Sequence, residues 1–155
     1  MAAWKKICCP VDFSWQSRIA MEEAADLAWR FGGDLTLVHV DDRPLPAVEA
    51  LMAREGRDEG KVALERKLAA WRDEAEPIAT TTVDHVLLAG GPAEEIARFA
   101  GERGYDVIIM GTRGQTGREG WGLGSVAQAV VREAPCTVVV VRGRVSRPAD
   151  RFPPG

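Results

Sequence analysis

The chain is short of several things, and each shortage excludes a class of protein. Cysteine occurs three times, as Cys8, Cys9 and Cys136. An odd count with no CxxC pair argues against a disulfide framework and against a zinc site. Neighbouring strand residues point to opposite faces, so Cys8 and Cys9 are expected to behave as small buried apolar residues. The two histidines, His39 and His85, sit far apart in strand-like segments and read as structural residues rather than metal ligands. No apolar run reaches spanning length, and Lys5 and Lys6 precede only a short apolar strand. Neither a membrane helix nor a signal peptide is therefore expected, which leaves the cytoplasm as the default compartment. Positive charge is not in excess: the net charge of −3 gives no basic footprint for nucleic acid. Two familiar phosphate loops are also missing. No Gly-Lys-Ser/Thr closes a Walker-type loop, and the first strand-to-helix turn, Pro10-Val-Asp-Phe-Ser-Trp15, lacks the glycines of a dinucleotide fingerprint.

What is present describes an ordinary globular domain. The 155 residues are 46% hydrophobic and 28% charged, enough to bury a proper core. A single domain is expected over residues 1–142. Residues 143–155, with three prolines and several charges, read as a mobile tail.

Along the chain, strands and helices alternate. Lys5 to Val11 reads as strand one, and a helix capped by Ser14 or Ser17 runs to about Phe31 with Ala20, Ala24, Leu27 and Phe31 on one face. Gly32-Gly33 stops it. Strand two is Leu35 to Val40. The stretch from Ala47 to Ala75 reads as helical but is interrupted at Gly56 and Gly60, and its firm part carries the stripe Leu64, Leu68, Trp71 and Ala75. Thr81 to Leu88 alternates as a half-exposed edge strand. Pro92 opens a helix with Glu94 and Glu95 in its first turn and Ile96, Phe99 and Ala100 turned inward. Strand four is Asp106 to Met110, and strand five is Thr137 to Val141. Five strands alternating with four helices predict an α/β fold: an open, five-stranded parallel sheet with helices on both faces. The order 3-2-1-4-5 would place a switch point between strands one and four, where ligands bind at the strand carboxyl ends.

The stretch Asp106 to Val126 carries the chemistry. A buried strand runs into a loop with glycines at 111, 114, 117, 120, 122 and 124, and the loop runs into a helix with apolar positions Val126, Ala127, Val130, Val131 and Ala134. Glycine lets backbone N–H groups approach a ligand, and a helix N-terminus favours negative charge, so this arrangement suits a phosphate. The same residues also fit a plain connector in which Ser125 and Gln128 form a capping box. Asp12, at the end of strand one, fits either a ligand in the crevice or a cap for the next helix.

Five segments in order resemble one family. Pro10-Val-Asp12-Phe-Ser14, Leu37-Val-His-Val40, Gly91-Pro-Ala-Glu-Glu-Ile96, Asp106-Val-Ile-Ile-Met-Gly-Thr-Arg-Gly114 and Ala134-Pro-Cys-Thr-Val-Val-Val-Val141 look like the landmarks of universal stress proteins. The resemblance runs from about Lys5 to Arg142. It implies the Rossmann-like fold of the adenine nucleotide alpha hydrolase type, and a homodimer formed through strand five. The family's ATP-binding members carry Gly-x2-Gly-x9-Gly-Ser/Thr, which stands here as Gly111, Gly114, Gly124 and Ser125. The resemblance then implies that Asp12 contacts ribose or adenine, and that Pro10, Val11 and Val40 border the base. Met110 and Gly111 would lie against sugar and first phosphate. Gly114, Gly124, Ser125 and Val126 would hold the phosphates. Apart from the resemblance, Arg113 and Arg118 fit either charge-assisted contacts to phosphate or solvated surface positions. The cofactor would be ATP, or AMP or ADP as purified, with Mg²⁺ or Mn²⁺ held by phosphate oxygens rather than by side chains. The run Arg118-Glu-Gly-Trp-Gly-Leu123 departs from the long apolar or basic residues common there, and Trp121 would either cover the phosphates or pack on a partner subunit.

Three functions are consistent with these features. The favoured one is an ATP-binding regulatory module of the stress response, read by an unidentified protein partner once nucleotide orders its loops. The second is a slow ATP hydrolase or phosphotransferase; the loop offers Glu119 as its one acid and no dedicated base. The third is a dimeric scaffold that binds no nucleotide. The valine-rich edge of strand five independently invites pairing with a second copy.

Overall fold

The computed structural model describes residues 4–44, 58–112 and 123–143. Five strands form one parallel sheet: β1 (Lys6–Pro10), β2 (Asp34–Asp41), β3 (Asp84–Ala89), β4 (Val107–Gly111) and β5 (Thr137–Val141). Their order is β3-β2-β1-β4-β5, as the pattern of elements predicted. Four helices alternate with them: α1 (Trp15–Phe31), α2 (Glu59–Ala79), α3 (Pro92–Arg103) and α4 (Ser125–Glu133).

Strand alternation sorts the core into two layers. Ile7, Cys9, Leu35, Leu37, Val107 and Ile109 face α1 and α2, meeting Ala20, Met21, Ala24, Leu68, Trp71 and Ala75. Cys8, Val38, Val40, Ile108 and Met110 face α3 and α4, meeting Ile96, Phe99, Ala100, Ala127 and Val130. Both faces of the central strands are thus covered, which is why β1 and β4 read as unbroken apolar runs. Cys8 and Cys9 are fully buried, and burial pushes both thiols well above the usual range. A thiolate is the reactive form, so these are packing residues.

Two helices differ from the sequence expectation. The buried stripe of α1 is Ala20, Met21, Ala24, Ala25 and Ala28 rather than one ending on Leu27 and Phe31. Small residues let the helix lie close to the sheet, and the bulkier side chains are displaced to its flank. Phe31 is exposed and lies against Trp4, their ring centroids 5.4 Å apart. In α2 the buried positions Leu68, Trp71 and Ala75 continue to Ala79, past Pro77. Proline removes one backbone donor, yet the buried Ala79 and a left-handed cap at Thr80, whose N–H donates to Glu76, carry the helix another turn. The expected piece between Ala47 and Gly56 lies outside the described residues, as does the tail beyond Gly143.

The N-terminal ends of β1 and β4 are joined by one carboxylate. Asp106 Oδ2 accepts from the Lys5 amide at 2.9 Å and the Lys6 amide at 2.8 Å. The Asp106 amide returns a bond to the Lys6 carbonyl at 2.8 Å. Charge-assisted bonds of this kind are stronger than neutral ones. Replacing Asp106 with Ala is expected to lower unfolding stability by about 1–3 kcal/mol, measured as a fall in urea midpoint with an unchanged m-value. A midpoint equal to that of the parent protein would show that the carboxylate contributes nothing.

Candidate functional site

The sheet opens at its other end. The β1–β4 ladder stops at Cys8↔Ile108, although β1 stays paired with β2 to Pro10↔Val38 and β4 with β5 to Gly111↔Val141. The cause is in the sequence. Backbone groups alternate sides along a strand. Lys5 and Val11 bond to β2, through Asp34 and Val38, whereas Lys6 bonds to Asp106 beside β4. The amide of residue 10 would therefore face β4, and residue 10 is proline, which has no N–H to give. The same alternation turns the backbone groups of Val40 toward β1, since Val38 O accepts from Val11 on that side. It also turns those of Met110 toward β1, since the Asp106 amide bonds to Lys6. Both therefore face the space above the end of β1.

Leaving β1, the chain turns sharply. Asp12 Oδ1 accepts from the Ser14 amide at 3.0 Å, and the Asp12 amide donates to Ser17 Oγ at 3.3 Å. Ser14 caps α1, its hydroxyl accepting from the Ser17 amide at 3.2 Å. The helix cap is thus Ser14, with Asp12 holding Ser14 in place. Between them Phe13 takes φ = 65°, left-handed backbone that a bulky residue rarely adopts. No sequence rule points to that conformation. Beneath the turn, His39 Nδ1 lies 2.6 Å from the Val11 carbonyl; a carbonyl only accepts, so Nδ1 carries the proton. This is the satisfied, structural role expected of His39, and His85 likewise pairs with Arg72, 3.3 Å away.

β4 ends at Gly111, where a Cβ would stand 3.0 Å from the Gln16 carbonyl oxygen and 3.1 Å from its carbon. Close approach of the first turn of α1 alone explains this glycine. Thr112 follows, and its carbonyl accepts from the Gly124 amide at 2.7 Å. That bond sets the N-terminus of α4 beside the end of β4, at the mouth of the opening, and it occupies the Gly124 amide. Gly124 is the N-cap, with extended backbone and no side chain of its own to cap the helix. The expected capping box is not formed. Ser125 already lies inside the helix as its first residue, and Gln128 Nε2 donates to the Leu123 carbonyl at 2.9 Å.

The four helix starts can be compared. α1 is capped by Ser14. α2 is capped by Asp58 and carries Glu59 in its first turn. α3 starts on proline and has Glu94 and Glu95. α4 has glycine at its N-cap, as α3 does, but no acidic residue in its first turn. Its positive end therefore favours a negative group.

At the end of β2, Arg43 closes a clamp. Its Nη2 lies 2.7 Å from Asp41 Oδ2 and 3.9 Å from Asp58 at the start of α2. The hydrogen bond from Arg43 holds the Asp41 carboxyl below its usual range. Gly60 makes room for it, since a Cβ there would collide with the guanidinium.

Of the residues singled out from sequence, Pro10, Val11, Asp12, Val40, Met110, Gly111, Gly124, Ser125 and Val126 belong to strand ends and the helix start that border this opening. Arg113 and Gly114, with Arg118 and Trp121, lie outside the described residues. Thr112, Gln16, Phe13 and Arg43 escaped the sequence reading, because each acts through a carbonyl, a close approach, a torsion or a long-range pair.

Known proteins share this architecture. A universal stress protein of Methanocaldococcus jannaschii is 35% identical over 145 residues, covering 90% of this chain and 82% of the relative. The solved universal stress protein of Lactobacillus plantarum superposes with a TM-score of 0.77 at 25% identity, covering 92% of this chain and all of that one. A universal stress protein from Archaeoglobus fulgidus, solved in complex with dAMP, shares the fold at 20% identity with a TM-score of 0.62, covering 90% of this chain and 98% of that one. The family model described as the universal stress protein family matches residues 3–142. This chain therefore belongs to the universal stress protein family.

Proposed function

We propose that this protein binds an adenine nucleotide, ATP with Mg²⁺ or Mn²⁺, and serves the stress response in the cytoplasm as a nucleotide-dependent regulatory module rather than an efficient enzyme. The observation that carries the reading is the Gly124–Thr112 bond, which brings a helix start with glycine at its N-cap beside the gap left by Pro10. In this reading the base lies over the end of β1 beside Val11 and Asp12, and the backbone groups of Val40 meet its edge. Met110 and Gly111 flank the sugar. The amides of Ser125 and Val126, the Ser125 hydroxyl, Gly114 and Arg113 take the phosphates. The Gly124 amide serves the loop instead. Among the described residues no three His, Cys, Asp or Glu side chains gather to hold a metal, so the ion would take its oxygens from the phosphates and water. A fold of this kind accepts dAMP in the Archaeoglobus relative, and the glycine spacing adds room for further phosphates. Nucleotide binding would then change the surface that a partner protein reads.

The second element of the proposal is a homodimer through β5. Val138 to Val141 are half-buried on the sheet's edge strand, and Val126 and Val131 of the neighbouring α4 are 37% and 49% exposed. An open apolar edge is a template for pairing.

Two experiments follow. Ser125→Asp should move stability and binding in opposite directions. A carboxylate in the first helical turn stabilises the nucleotide-free protein by about 0.3–1 kcal/mol. The same charge about 4 Å from a phosphate opposes binding by about 4 kcal/mol at an effective dielectric of about 20, so calorimetry with ATP and Mg²⁺ should show a loss of roughly a hundredfold or more. Unchanged affinity would remove α4 from the site. Sedimentation at micromolar concentration should give a dimer, and a monomer would refute the β5 contact.

A further inference from the structure

The residue between Asp12 and Ser14 has no assigned role, yet its backbone is one of two non-glycine positions with positive φ among the described residues. The other, Thr80, is a helix C-cap, where left-handed backbone is routine. Phe13 ends no helix. Its torsion persists because its ring is held on three sides. The His39 ring lies 4.5 Å away between centroids, tilted by 39°. The Trp71 ring meets it edge-on at 5.3 Å and 83°. Lys67 Nζ sits 4.8 Å from its centroid, at cation–π range. Trp71 is itself fixed, almost fully buried, with the Arg18 guanidinium 4.5 Å from its ring. His39 holds the Val11 carbonyl as well as the Phe13 ring, so one side chain fixes the residues on both sides of Asp12.

We infer that Phe13 is a positioning residue for the nucleotide site: its clamped ring holds the 11–14 turn in the left-handed conformation that sets Asp12 at the carboxyl end of β1, beside the opening between β1 and β4. The inference rests on the reading of that opening as an adenine-nucleotide site. Strained backbone is retained where surrounding structure over-determines it, and here the determinants come from β2 and α2. Lys67 and Trp71 both belong to α2, whose start is tied through Asp58 to Arg43 and the end of β2. The position of α2 is therefore linked to the orientation of Asp12 by direct contact.

The comparison that tests this is Phe13→Gly against Phe13→Ala. Both remove the ring, but only glycine adopts positive φ without steric penalty. With ATP and Mg²⁺ in calorimetry, Phe13→Gly is expected to bind within about threefold of the parent, and Phe13→Ala at least about tenfold more weakly. A ring acting only as packing predicts the reverse ranking in stability, because glycine is the more flexible residue in the unfolded chain, and equal affinities in the two variants. Should Phe13→Ala fail to fold, Phe13→Leu takes its place, keeping apolar bulk and the torsional penalty, with the same ranking below glycine. Equal affinities for glycine and the L-residue variant, or parent-like affinity in the latter, overturn the positioning role. A parent protein that fails to bind ATP overturns the nucleotide reading and this inference with it, whereas a binding parent with indifferent variants overturns this inference alone.

Discussion

The opening at the centre of this parallel sheet exists where two adjacent strands stop pairing before they end, and the residue due to donate across at that point is a proline with no proton to give. The alternation of backbone groups along β1 turns residue 10 toward β4, and Pro10 cannot donate. The ladder closes at Cys8↔Ile108 while the outer ladders continue. Asp106 acts at the opposite end, gathering the first amides of β1 with a single carboxylate oxygen. The two strands are thus stitched at the base and parted at the top. Pro10, Val11, Asp12, Val40, Met110 and Gly111, all proposed to meet a nucleotide, stand at the strand ends around that parting.

Two contacts hold the chain close to this rim. The Gly124 amide bonds to the Thr112 carbonyl, and Arg43 pairs with both Asp41 and Asp58. Each ties a strand end to the helix start beside it, so the amides and carbonyls around the opening keep their register.

Periodic features were legible in the sequence and singular ones were not. The sheet order followed from alternation of apolar strands with helical stripes, because burial imposes a repeat that many residues report together. Val107 to Met110 could scarcely be anything but a central strand. By contrast, α1 was read one step around its axis, since Leu27 and Phe31 are larger than the alanines that actually face the sheet. The helical stripe read as ending at Ala75 continues to the buried Ala79. At the site, Asp12, Val40 and Met110 could be chosen because strand ends converge at a switch point. The Gly124–Thr112 bond and the torsion of Phe13 have no local signature. Gly111 is instructive in another way: its glycine satisfies the approach of Gln16, so a residue that fits a phosphate motif also has a packing reason to be there.

The start of α4 shows why local rules should fail at this place. Two helices in this chain are capped by a hydroxyl or a carboxylate, each worth roughly 0.5–2 kcal/mol, and a third carries acidic residues in its first turn, worth about 0.3–1 kcal/mol each. α4 has the sequence for a capping box and does not form one. A capped terminus would hold its own internal negative partner and would resist an external anion by the same energy. Glycine at the N-cap forgoes the stability that a capping residue there would add, and leaves the start of α4 suited to a negative group that arrives from outside. Consistency between local propensity and fold is the usual condition of a stable domain, and its violation at one helix start, directly beside a broken ladder and a left-handed phenylalanine, concentrates three departures in one corner of an otherwise regular molecule. Departures so grouped are what a binding site requires, because each exposes or aims a polar group that regular structure would have consumed.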